Sequence, residues 1–160
     1  MSVNTIKLKS MSPDIMEESE VNEVLYPGHL VEDNANSKLQ KHGSAGDTAI
    51  PRFALETGFM GKGIEDPFDP SGEITRASTW FPKRGEWVYA VLKDGENVSR
   101  GDKLESAGDG TLQEHGTESV GITGQPVVGE ALEDLDLSGS SGEESSGTLG
   151  YNKRIKIRVA

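Results

Sequence analysis

The sequence predicts an all-β protein with a small barrel or barrel-sandwich core, an extended N-terminal arm and long loops. Three observations carry that prediction. The stretch GEWVYAVLKDGENVSRGDKLESAGDGTL, from Gly85 to Leu112, alternates short apolar runs with turn dipeptides and has no room for a helix. Gly fills 20 of 160 positions, well above the usual share of about 7%, and many short apolar runs punctuated by Gly mark β folds. Helical periodicity is sustained nowhere for three turns.

The elements follow in chain order. Residues 1–20 read as an arm. Within it Thr5-Ile6-Lys7-Leu8-Lys9 alternates, so Ile6 and Leu8 share a face and suit an edge strand, in this molecule or in a neighbour. Ser12-Pro13-Asp14 is read as opening a short helical turn through Glu20. Val24-Leu25-Tyr26 and His29-Leu30-Val31-Glu32, joined by Pro27-Gly28, are expected to form a first strand pair, and residues 33–50 a loop. Pro51–Glu56 is a further extended segment. The turn-dense stretch after it is anchored by Phe59, Met60, Ile64 and Phe68. Glu73–Phe81 returns to strand. Trp87–Leu92 is apolar throughout, as in a strand covered on both faces. Asp94-Gly95, Gly101-Asp102 and Asp109-Gly110 supply the reversals. Val120–Ile122 and Val127–Leu132 complete the core, which is bounded at 21–132.

Residues 133–150, EDLDLSGSSGEESSGTLG, form an acidic Ser/Gly loop with too few apolar groups to order itself. Residues 151–160 end in Arg154-Ile155-Lys156-Ile157-Arg158-Val159, a half-buried closing strand with its three cations facing outward.

Composition narrows function. Leu, Ile, Val and Phe make up about 22% of the chain, just above the range of about 20% below which charged chains stay disordered. The formal net charge of −11 opposes phosphate backbones, so no nucleic-acid partner is expected. Such acidity favours solubility and suits a saline, halophilic setting, although Lys (10) outnumbers Arg (6). Cysteine is absent, which removes disulfides and thiolate chemistry. The first twenty residues lack a signal-peptide apolar region, and no run approaches the roughly 18 apolar residues of a membrane span. A soluble protein made without export is expected.

Chemical motifs are sparse. His29, His42 and His115 show no zinc-ligand spacing and read as solvated loop residues. Gly58-Phe59-Met60-Gly61-Lys62-Gly63 has the wrong spacing for a phosphate loop and no Ser or Thr after its Lys. Asp66, Asp69, Glu73, Glu133, Asp134 and Asp136 suit a hard cation by residue type, without EF-hand spacing. No catalytic, cofactor or metal residue is therefore assigned, and an enzyme is not expected. Lys103 follows the Gly-Asp turn grammar of lipoyl- and biotinyl-type carriers, but within the strand rather than at the later hairpin tip where those domains are modified. Candidate interface residues are Ile6 and Leu8 in the arm and Phe59, Phe68, Trp80 and Phe81 beside turns. For Phe68, Trp80 and Phe81, plugging the ends of the barrel is the competing role.

The succession RFALETGFMGKGIEDPF, RGEWVYAVLKDGENVSRGDKLESAGDGTL, VVGEALEDLDLSG and RIKIRVA resembles a family of capsid decoration, or cement, proteins of tailed viruses, from phage or haloarchaeal viruses. The resemblance spans roughly residues 51–160. Its most specific parts are GDKLESAGDGTL at Gly101–Leu112 and VGEALEDLD at Val128–Asp136. It implies a structural virion protein on the outer capsid surface, with the major capsid protein as partner, no cofactor, no membrane and a homotrimeric state. A turret or fibre-base component of the same particle is the alternative within that class; a carrier or binding module is the alternative outside it.

Overall fold

A computed structural model describes residues 3–116, 126–139 and 153–160. It is all-β: thirteen strands and one 3₁₀ turn, Gly58–Met60, occur among the described residues. No helix there is long and apolar enough to cross a membrane.

The larger sheet has six strands. In spatial order these are β1 (Lys7–Lys9), β7 (Trp87–Val91), β13 (Arg154–Val159), β11 (Gly129–Ala131), β9 (Lys103–Ser106) and β10 (Leu112–Glu114), all antiparallel. The smaller sheet runs β2 (Ile15–Glu20), β6 (Arg76–Phe81), β5 (Phe53–Ala54). Two ribbons, β3 (Val31–Asp33) with β4 (Leu39–Lys41) and β8 (Asn97–Val98) with β12 (Leu135–Asp136), complete the fold.

The expected barrel does not close. The larger sheet stays open; a bridge between Leu92, just past β7, and Leu112 of β10 links two of its strands without involving the edge strand β1. Among the described residues no ladder joins the edge strands β1 and β10, and closure needs strand number, tilt and stagger to agree. Apolar faces are instead covered by packing sheet against sheet. One core cluster joins Ile6, Phe53, Trp80, Val88, Ala90, Leu104, Leu112, Ile155 and Ile157; a second joins Val21, Leu25, Val31, Leu39, Ala54, Phe68, Ile74 and Ala77. Strand β6 stands between them, giving Trp80 to the first and Ala77 to the second.

Several local expectations are corrected. Residues 12–20 form no helical turn, because β2 pairs with β6 across all six of its residues, from Ile15–Phe81 to Glu20–Arg76. The segment 24–32 is not a hairpin. Leu25 bridges Phe68, Leu30 bridges Phe53, and β3 pairs with β4 from the expected loop. A tight turn still joins the two halves: the His29 Nδ1 accepts the Tyr26 amide at 3.0 Å and the His29 amide donates to the Tyr26 carbonyl at 3.1 Å. Gly28 is required there, with φ +95 and a Cβ position only 2.9 Å from the Tyr89 carbonyl oxygen.

The N-terminal segment is woven into both sheets rather than standing apart as an arm. β1 adds to β7, as the Ile6–Leu8 alternation anticipated, within this molecule. In the closing strand, Ile155, Ile157 and Val159 are buried as expected, but Arg154 is buried too. Its Nε donates to the Pro27 carbonyl at 3.0 Å, Nη1 to Glu65 at 2.6 Å, and Nη2 to the Ile64 carbonyl. The expected strand at Val120–Ile122 and most of the acidic loop lie outside the described residues.

Ile6 has no solvent exposure, so Ile6→Ala should cost about 2–4 kcal/mol, and removing residues 1–20 should cost more, since it also uncovers β6. Urea unfolding checks both, and a truncated chain as stable as the full one would contradict this packing.

Candidate interaction surface

The six anticipated interface residues divide by burial. Ile6, Phe68 and Trp80 lie in the core, exposed by 0%, 1% and 0%. Ile6 and Trp80 fill the larger cluster between the two sheets, and Phe68 the smaller one, where it bridges Leu25. Leu8 is half-buried on β1. Phe81 is also half-buried, and its ring lies 4.9 Å from the Arg52 guanidinium carbon. Only Phe59 is freely presented, 85% exposed on the 3₁₀ turn, beside Met60. Gly61 ends that turn in the left-handed region at φ 73.

Further exposed apolar side chains were not anticipated: Met11, Ile15, Met16 and Ile50. Ile15 and Met16 are consecutive in a strand, so they project to opposite faces, and both remain exposed. Two apolar neighbours in the otherwise polar IMEESE were the available signal. A 340 Å³ groove runs from Glu18 past Thr57, Phe59, Met60 and Ile74 to Arg76.

A second groove, of 510 Å³, is organised by Arg52. This side chain is buried on the face of β6 that carries Thr79 and Phe81. Its Nε donates to Thr79 Oγ1 at 2.9 Å, Nη1 pairs with Asp33 at 2.9 Å, and Nη2 reaches Glu17 and Ser19 at 3.4 Å. One guanidinium thus ties β2, β3 and β6 together. A five-donor planar group suits that role in a way Lys would not.

Two of the three histidines are buried, not solvated as expected. His42 contacts Ser106 Oγ at 2.6 Å and the Thr48 carbonyl at 3.2 Å. Burial pushes His29 down to about 3, assisted by the nearby Lys41 and Arg154 charges. Glu105 is fully buried, holding Gln113 and His115 at 3.0 Å and the Gly116 amide at 3.2 Å. Its two oxygens are engaged in fixing the end of β10. Lys103 lies inside β9 and bonds Glu130 across to β11, and that hydrogen bond lowers the Glu130 carboxyl. No group of three or more potential ligands suited to a metal ion occurs among the described residues.

No protein-family model matches the chain, and no curated protein shows significant similarity to it.

Two outcomes follow. Phe59→Ser should change stability by less than about 0.5 kcal/mol, whereas Trp80→Ala should cost about 3–5 kcal/mol, both read by denaturant titration. The unfolded chain protonates His29 near 6.5, while the folded chain resists protonation until about 3. Stability therefore falls as pH drops below 6.5, by up to about 1.4 kcal/mol per pH unit. Between pH 6.5 and 5, above most carboxylate titration, His29→Gln should flatten that slope; an unchanged slope would contradict the assignment.

Proposed function

We propose that this chain is a structural protein of a tailed-virus particle that decorates the capsid exterior and cements neighbouring capsomers. The observation that carries the reading is a set of uncovered apolar side chains, Ile15, Met16, Ile50, Phe59 and Met60, on an acidic all-β body. Apolar groups presented from turns and edges are the anchors that specific protein contacts use. The resemblance at Gly101–Leu112 and Val128–Asp136 supplies the class of partner, the major capsid protein.

The mechanism is mass action. A protein that binds the assembled shell more tightly than its dissociated or unexpanded form shifts the balance toward the shell. Repetition across a closed lattice multiplies the effect. Specific attachment needs about 1,600 Å² of total buried surface per contact. Negative charge directs the protein to the outer surface, away from packaged DNA. No nucleic acid, membrane or cofactor enters this reading, and a homo-oligomer, by resemblance a trimer, is its form on the lattice.

Quantitative mass spectrometry of purified virions tests it. A copy number approaching that of the major capsid protein is expected. A few copies per particle would indicate a turret or fibre-base component instead. Absence from virions, with a covalent adduct on Lys103, would replace the reading with a carrier.

A further inference from the structure

The 410 Å³ groove over β9, β11 and β13 runs against the composition of the chain. Its lining includes Arg84, Lys103, Val127, Glu130, Arg158 and Val159. Lys103 and Arg158 share the single carboxylate of Glu130. Arg84 is exposed and has no ion pair among the described residues. The side chains here carry two more positive than negative charges, in a chain of net charge −11.

The groove organised by Arg52 has the opposite balance. Glu17, Glu32 and Asp33 face one cation, and that cation is buried and already paired. Each groove also has an apolar part: Val127 and Val159 in the first, Ile50 and Phe81 in the second. Ile50 is 73% exposed. The two share no lining residue, so one copy can use both at once.

We propose that the cationic groove of one copy receives the acidic, Ile50-bearing rim of a second copy. Arg84 and Arg158 then meet Glu32 and Asp33, while Ile50 packs against Val127 and Val159. Such a contact joins two different patches, so every copy keeps a complementary patch until a symmetric assembly closes. It names the surfaces through which copies meet on the particle and rests on the decoration reading for its role there.

Sedimentation velocity of the purified full chain tests the contact. Self-association is expected, with Kd rising about tenfold between roughly 0.05 and 0.5 M NaCl as the charges are screened. The double variant Arg84→Glu/Arg158→Glu should be monomeric alone, as should Glu32→Lys/Ile50→Lys. Mixing the two should restore assembly, because each then presents what the other lacks. Ile50→Lys by itself breaks no bond within the chain and should weaken association at least tenfold even if the Glu32 change disturbs the fold. A wild-type chain that stays monomeric at about 100 µM in low salt overturns the proposal, as does a mixture that fails to assemble. A monomeric chain that is still abundant in virions would remove this contact alone, whereas an assembling chain absent from virions would remove the decoration reading alone.

Discussion

Strand β6 is the constraint on which the rest of the architecture depends. Its alternate side chains enter two separate cores: Trp80 joins the larger, shared with the six-stranded sheet, and Ala77 the smaller, shared with β3, β4 and the residues Leu25 and Phe68. Its neighbours are fixed in turn: β2 by a six-residue ladder and β5 through Phe53–Trp80 and Ala54–Thr79. A chain with about 22% large aliphatics and Phe gains most when one strand has both faces buried. Strand β5 shares that placement, with Phe53 in the larger core and Ala54 in the smaller.

Two buried arginines complete what the modest core cannot. Arg52 connects β2, β3 and β6, and Arg154 connects β13 to the loop carbonyls of Pro27 and Ile64. Buried guanidinium groups are tolerable only when their donors are satisfied, and each has several acceptors here. They hold long connections to short strands in a protein without disulfides. The same arrangement leaves the outer strand β2 and the turn at Phe59 available for contact.

The all-β class was legible because turn chemistry is local. Asp94-Gly95 and Gly101-Asp102 mark reversals, and Gly95 and Gly101 adopt the positive φ such turns need. The β7 strand was legible from its apolar run and β13 from strict alternation of apolar and cationic residues. Interface residues were much less so. Trp80 and Phe81 are adjacent aromatics, yet one is sealed in the core and the other stacks on Arg52, a difference set by β5 and by a side chain 29 positions away. Arg52 and Arg154 resemble surface cations in sequence, since nothing local reveals the carbonyls and carboxylates that meet them. The open sheet was missed for a related reason: strand count is local, whereas closure depends on pairing and register between distant segments.

On the proposed reading the protein stabilises a lattice by occupying its surface. Thermal disruption of particles lacking the protein, with purified protein added back in increasing amounts, measures that directly. The disruption temperature is expected to climb with occupancy and level off when the sites are full. Particles that bind the protein to saturation and rupture at the same temperature as bare ones would contradict it.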